Sequence, residues 1–354
     1  MTVMVTGIGH VGGYVVRDLL DAGEQVVLFG FFGGSGDPLD TFPPDLQFVD
    51  HLVGGALRDK VKIVVGDIVD LDAITEAADR HGVTKIIHLA SMLSAGVEAN
   101  PPLAMHVNVV GTANVFEAAA RLRLEKVVWA SSVDVFGDGS VNSAGVVTDD
   151  APYDPPFIYG AGKVMGEQLA FRYAANHDLS ITGLRLTRAY GFGEHIKARR
   201  GGGSSWMSGL LYEPAVGSGA PVVVPFGRRP MDFLYLEDAA SAFMRALASP
   251  VSGSNNFIIR GDFRQVSEAY DFVRSLFPDA PLTLVMDDAP LPPGSSLAWE
   301  RRYDGSRAAA ELAYTSQFNL ETGLLRTINY NRANVGLPAV TMPAVASAVQ
   351  GVAS

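Results

Sequence analysis

The chain reads as an α/β protein: a doubly wound parallel sheet followed by a smaller mixed α/β domain. Two observations predict this. Through the first half, short β-branched runs alternate with longer segments of helical period, the pattern of a parallel sheet covered on both faces. Near Tyr190 the texture changes, and a loop carrying Arg199, Arg200 and Gly201 to Gly203 leads into a mixed region with many prolines. At 354 residues the chain has room for two domains of about 100–200 residues each.

The first strand is expected over 3–6. Val15, Val16, Leu19 and Leu20 then recur at helical spacing, and Gly23 stands where a left-handed residue would end that helix. A second strand over 25–29 closes a strand–helix–strand unit of about 30 residues, the size of a mononucleotide-binding half. Further strands are expected over 61–65, 85–89 and 126–131, with helices over 108–123 and 157–176. Beyond Tyr190, helices are expected over 237–248, 267–277 and 321–334, while 181–188 and 256–259 are candidates to return to the main sheet as strands. The domains are therefore drawn at 1–190, with pieces near 231–260 returning to it, and 191–340. The tail 341–354 is unassigned, and Pro338 and Pro343 break any helix around it.

Composition narrows the function. Hydrophobic residues make up 48% and charged ones 18%, enough apolar surface to offset the entropy of ordering the chain, which excludes disorder. With 27 Lys plus Arg against 38 Asp plus Glu, the net charge of −11 repels a phosphate backbone and argues against a nucleic-acid partner. The absence of cysteine removes disulfides, thiolate metal sites and cysteine nucleophiles, and fits a reducing compartment. Met1 runs straight into Val3-Met4-Val5 without a leader pattern, and no window approaches the ~18 apolar residues of a spanning helix. A cytoplasmic protein with a small-molecule substrate, no membrane association and no metal is expected.

Two motifs carry chemistry. Thr6-Gly7-Ile8-Gly9-His10-Val11-Gly12-Gly13 follows the first strand and opens the first helix. In that context Gly7 permits the tight turn, Gly9 lets backbone N–H groups approach a pyrophosphate, and Gly12 lets the helix pack closely on the strand, the layout of a Rossmann-type dinucleotide site. His10 is read as a solvated or phosphate-adjacent side chain and not as a base. The second motif is Tyr159-Gly160-Ala161-Gly162-Lys163, whose four-residue spacing puts a phenol and an ammonium on one helix face. Ser131-Ser132 ends the fifth strand upstream, at the sheet edge where open α/β folds place ligands.

These motifs, taken with others in order, make the chain resemble the extended short-chain dehydrogenase/reductase family, which contains NAD-dependent sugar epimerases and dehydratases. The others are Gly66-Asp67-Ile68, His88-Leu89-Ala90-Ser91, the segment 108–115, Ala130 through Gly137, the segment 184–191, and Asp232-Phe233-Leu234-Tyr235-Leu236-Glu237-Asp238. The resemblance covers nearly the whole chain. It implies that Tyr159 is the general acid/base, Lys163 its pKa-lowering neighbour and ribose ligand, Ser132 the donor that polarises the substrate oxygen, and Asn108 a structural or proton-relay fourth member. A free phenol titrates near ~10, and both an adjacent ammonium and an oxidised nicotinamide favour its ionised form. The resemblance further implies that Asp67 meets the adenine amine with the Ile68 backbone assisting, and that Leu89, Ala90 and Ser91 line the cofactor wall. Ser94, Val133, Asp134 and Arg188 fall at the substrate side. Arg188, where many sugar-nucleotide enzymes carry asparagine, binds a substrate anion or pairs with a carboxylate. The helices over 108–123 and 157–176 commonly pair into a homodimer in this family.

Three departures limit the functional reading. The glycine turn is one residue shorter than the family's usual spacing. Gly30 follows the second strand where NAD enzymes offer an acid to the ribose, with no cation nearby for an NADP phosphate, so NAD is preferred over NADP and Asp37 or Asp40 could substitute. Met231 and the stretch 291–296 stand where nucleotide-sugar enzymes place the arginines that neutralise a diphosphate; Arg228, Arg229, Arg199 or Arg301 could replace them. The main expectation is thus an NAD(P)-dependent oxidoreductase acting on a small sugar, sugar acid or hydroxy acid, with Lys197, Arg199 and Arg200 as further candidates for an anionic group. A nucleotide-sugar epimerase, less so a dehydratase, and a catalytically silent dinucleotide sensor are the alternatives.

Overall fold

Seven strands form the central sheet of the computed structural model, which describes residues 1–32, 42–195, 205–286 and 298–343. They are β1 (Thr2–Thr6), β2 (Gln25–Gly30), β3 (Val61–Val65), β4 (Lys85–His88), β5 (Lys126–Ser132), β6 (Ser180–Leu186) and β7 (Ser254–Ile259). Their order is β7-β6-β5-β4-β1-β2-β3, with every neighbouring pair parallel. The direction of winding reverses between β1 and β4, and the glycine turn leaves β1 at that crevice, where this class of sheet binds ligands.

The strands are apolar on both sides because both faces are covered. Val3 and Val5 point into one cluster with Val15, Val16 and Leu19 of the helix His10–Asp21 and with Ala239, Ala240 and Phe243 of the helix Leu236–Ala248. Met4, one residue out of phase, points into the other, with Ile74 of the helix Leu71–Arg80 and Val115 and Phe116 of the helix Gly111–Arg121. The first helix stops where the sequence indicates. Gly23 takes φ +76°, and the N–H groups of Gly23 and Glu24 close back onto Leu20 and Leu19 oxygens at 3.0 Å each.

Both stretches expected to return to the main sheet do so, as β6 and β7, in the register Leu184↔Phe257. The strand Pro230–Tyr235 does not. It pairs with Arg188–Tyr190 and Asp262–Gln265 in a separate three-stranded sheet. That sheet, the strand pair Val222–Val224 and Leu282–Leu284, and the helices Ser205–Val216, Val266–Leu276 and Leu320–Asn334 share a further apolar cluster centred on Met207, Leu210, Phe233, Val273 and Leu324. One expected helix is broken in character. Residues His106–Val110 form a π-helix before α-helix resumes at Gly111, a local widening that recurs at functional sites.

No helix among the described residues is long and apolar enough to cross a membrane. Asp37, Asp40, Lys197, Arg199, Arg200, Gly201 to Gly203, the stretch 291–296 and the end of the tail lie outside the described residues.

Candidate active site

The glycine turn is shaped by close approach. Gly7 takes φ +82°, and a Cβ on it would lie 2.5 Å from the backbone of Ala90, so the end of β1 and the loop after β4 touch main chain to main chain. A Cβ on Gly12 would stand 2.8 Å from the Gly7 oxygen, which seats the first helix directly on the turn. Gly9 precedes that helix in extended conformation without a side-chain cap, leaving the first-turn N–H groups for an anion. Val11 packs toward the core. The turn therefore fits a pyrophosphate. At the end of β3, one Asp67 carboxylate oxygen accepts the Val69 N–H at 3.1 Å, while the Ile68 side chain is buried against Gly111.

A polar chain connects this turn to the next site element. The Thr6 hydroxyl lies 2.7 Å from His88 Nδ1, His88 Nε2 lies 3.0 Å from Thr112 Oγ1, and that hydroxyl donates to the Asn108 carbonyl at 2.6 Å. With the Thr112 proton committed, Nε2 donates, and in the neutral ring that burial favours Nδ1 accepts from the Thr6 hydroxyl. Asn108, on the π-helix, accepts the Met92 N–H through Oδ1 at 2.7 Å and donates from Nδ2 to the Met92 oxygen at 3.0 Å. Both ends of its amide are thus spent on holding the loop that carries Ala90 and Ser91.

Full burial lowers His88 to about 3 from its ordinary 6.5, with the Lys163 charge adding to the effect. The unfolded chain binds a proton below pH 6.5 that the native ring refuses until about 3, so this stability is complete above 6.5 and is lost across that window. Near pH 4 the loss from this group is about 3 kcal/mol. Urea unfolding of wild type and His88→Asn at neutral and acidic pH checks it: the acid-induced loss is smaller in the variant by that amount.

The helix Ile158–His177 delivers three polar side chains at four-residue intervals: Tyr159, Lys163 and Glu167. Lys163 Nζ stands 5.4 Å from the centre of the Tyr159 ring and donates to the Ala130 oxygen at 2.8 Å, two residues before Ser132. Ser132 Oγ donates to Asp134 Oδ2 at 3.0 Å and accepts the Asp134 N–H at 3.1 Å, so the start of a 3₁₀ turn, Val133–Val135, folds the carboxylate back over the serine. Burial, opposed by the Asp134 and Glu167 carboxylates, lowers Lys163 to about 8.

The phenol departs from expectation in the protein alone. Burial first, and then the negative charge of Asp134, push Tyr159 above its ordinary value, while a hydrogen bond with the Ser91 side chain draws it down. The Lys163 ammonium therefore does not by itself produce an acidic phenol. Ser91, expected at the cofactor wall, is also a partner of the phenol.

Glu167 escaped the sequence reading. It is 1% exposed, accepts from Ser131 Oγ at 2.6 Å and Tyr153 Oη at 2.7 Å, and pairs with both Nε and Nη2 of Arg185 at 2.9 and 2.6 Å. The signal was present in its place one helical turn beyond Lys163 and in the buried arginine of β6.

Arg188, expected at the substrate side, pairs with Glu194. The two guanidinium nitrogens meet the carboxylate at 3.2 and 3.1 Å, with the residues 5% and 3% exposed. Val133 packs among Val135, Phe136, Ile258 and Tyr303. Ser94 opens a short helix, Ser94–Ala99, after the Asn108-bound loop. Asp134 also bears on Tyr303, whose phenol burial pushes up and Arg301 draws down; Arg301 in turn donates to Asp138 at 2.7 Å. Asp232, expected only as part of a motif, is raised to about 6 by burial against hydrogen bonds from Gly261 and Thr187 at 2.7 Å each.

Comparison with known proteins agrees with this layout. A profile of the "NAD dependent epimerase/dehydratase family" matches residues 3–259. A UDP-glucose 4-epimerase of Mycolicibacterium smegmatis is 27% identical over 340 residues, 94% of this chain and 99% of that one. Among solved structures, MoeE5 in complex with UDP-glucuronic acid and NAD is similar with a TM-score of 0.74 at 24% identity, over 94% of this chain and 100% of that one. A partial consensus L-threonine 3-dehydrogenase is similar with a TM-score of 0.73 at 20% identity, over 94% of this chain and 98% of that one. With the Rossmann-type sheet, the glycine turn and the family profile in agreement over most of its length, the chain belongs to the NAD-dependent epimerase/dehydratase family of extended short-chain dehydrogenases/reductases.

Proposed function

We propose that the protein is an NAD(P)-dependent oxidoreductase that interconverts a carbinol and a ketone on a small polar substrate, a sugar, sugar acid or hydroxy acid. The observation that carries the reading is the convergence of Tyr159, Lys163, Ser91 and the Ser132–Asp134 pair at the carboxyl ends of β4 and β5. A bound nicotinamide would supply the acceptor or donor of the hydride, and its oxidised ring a positive charge that favours the phenolate.

In the oxidation direction Tyr159 Oη takes the proton of the carbinol hydroxyl, and in reduction it returns it. Lys163, held against the Ala130 carbonyl, keeps a cation 5.4 Å from the centre of the phenol ring and would hold the cofactor ribose. Ser132 Oγ exchanges its bond to Asp134 for one to the substrate oxygen. Asn108 acts as a positioning residue through the Met92 backbone.

A small substrate is supported by two positions. Met231, 1% exposed, stands where diphosphate-binding relatives carry arginine, and Arg188 is committed to Glu194. The second reading, a nucleotide-sugar 4-epimerase with transient oxidation by retained NAD, draws on the relatives reported above. The homodimer expected from the family is supported by exposed apolar side chains on the segments that would form it: Val110 on one, and Met165 and Phe171 on the other.

Incubation with NAD and a panel of sugars, sugar acids and hydroxy acids, set beside UDP-glucose and UDP-glucuronic acid, tests the choice. Net growth of NADH absorbance with a small alcohol is expected. A UDP-sugar interconverted with no net NADH, together with a rise in melting temperature on adding UDP, overturns the small-substrate reading and supports the second.

A further inference from the structure

The corner where β2 ends differs from the rest of the dinucleotide site. β2 brings Gly30, Phe31 and Phe32 to the carboxyl edge beside the glycine turn. A Cβ built on Gly30 would lie 3.5 Å from the Phe32 ring and 3.9 Å from the Gly7 nitrogen, ordinary contacts, so position 30 borders the phosphate turn and has space for a side chain. Gly30 pairs with Val65 of β3, and its oxygen accepts the Gly66 N–H at 3.1 Å.

Phe32 turns inward and is 6% exposed, but Phe31 is 80% and Val65 50% exposed, so two apolar side chains stand open on the same corner. Neither 30–32 nor 65–69 contains lysine or arginine, and the carboxylate there, Asp67, already holds the Val69 N–H. An acid at the end of β2 ordinarily binds the adenosine ribose hydroxyls and repels a 2′-phosphate; a cation there does the reverse. Among the described residues, this corner offers an aromatic face in place of either.

We propose that Phe31 receives the adenosine half of the dinucleotide by stacking, and that the missing acid at position 30 leaves the 2′ position weakly read, so that NAD and NADP bind with comparable affinity. The inference rests on the reading that the chain binds a nicotinamide dinucleotide, and it concerns selection between the two forms. A planar base on an exposed ring contributes about tenfold or more in affinity and is indifferent to the 2′ substituent. A carboxylate introduced at position 30 supplies the discrimination that stacking cannot.

Fluorescence titration of NADH and NADPH, a binding measurement that needs no substrate, tests it on wild type, Phe31→Ser and Gly30→Asp. Wild-type dissociation constants within about tenfold of each other are expected. Phe31→Ser weakens both ligands by about tenfold, and Gly30→Asp weakens NADPH by about tenfold or more while NADH holds or tightens. A wild-type preference beyond about 100-fold for either form, or unchanged affinities in Phe31→Ser, overturns the inference while leaving dinucleotide binding intact. Failure of wild type to bind either ligand overturns the underlying reading and the inference with it.

Discussion

Replacing Tyr159 by phenylalanine lowers turnover by about 10²–10⁴-fold, the usual worth of a positioned general acid/base, and leaves dinucleotide affinity within about threefold of wild type. The expectation follows from geometry. The ring stays in place over Lys163, whose Nζ bond to the Ala130 oxygen does not involve the phenol oxygen, so that cation is retained. Removing the hydroxyl costs Ser91 its bond with the phenol, but Ser91 Oγ keeps its bond to the Met92 oxygen, so no buried orphan is created. Steady-state rates on the substrate found in the panel, with NADH titration alongside, check both halves. Turnover within about tenfold of wild type would mean that the proton leaves by another route, for which Asp134, bonded to Ser132, is a candidate.

Glu167→Ala destabilises the protein by about 3–5 kcal/mol, the cost of stranding a buried charge. Arg185 is 3% exposed and loses two bonds of 2.9 and 2.6 Å, while Ser131 and Tyr153 each lose an acceptor. The remaining anion, Asp149, lies 3.8 Å from the guanidinium and is itself raised to about 6 by burial, so it compensates poorly. Removing both charges in Arg185→Met with Glu167→Leu recovers part of the loss, since an apolar pair of similar volume avoids the desolvation of either ion. Urea unfolding of the three proteins reads the difference; a single-variant loss under about 1 kcal/mol would show the pair to be solvated in practice.

How much of this was legible in the sequence depended on whether a residue's role is local. The strand runs, the Gly23 cap and the tyrosine–lysine spacing are readable because period and backbone conformation are set within a few residues. The separate sheet formed by Pro230–Tyr235 was not, because an apolar run does not name its partner, and this one pairs with Arg188–Tyr190 while the neighbouring Ser254–Ile259 joins the main sheet. Arg188 illustrates the same limit at the site: six residues separate it from Glu194, yet only the fold shows that the two side chains close on each other. Tyr159 is the instructive case. Its place on one helix face with Lys163 follows from spacing, whereas its acidity does not, because burial and a carboxylate from a different element push the phenol up.

Ionisation of that phenol is therefore the quantity on which the mechanism turns. Near-ultraviolet difference titration of wild type against Tyr159→Phe isolates its phenolate band, with and without saturating NAD. A phenol that ionises above ~10 in the protein alone and below that value once the oxidised cofactor is bound is the predicted result. A band that titrates at the same pH in both states would contradict it.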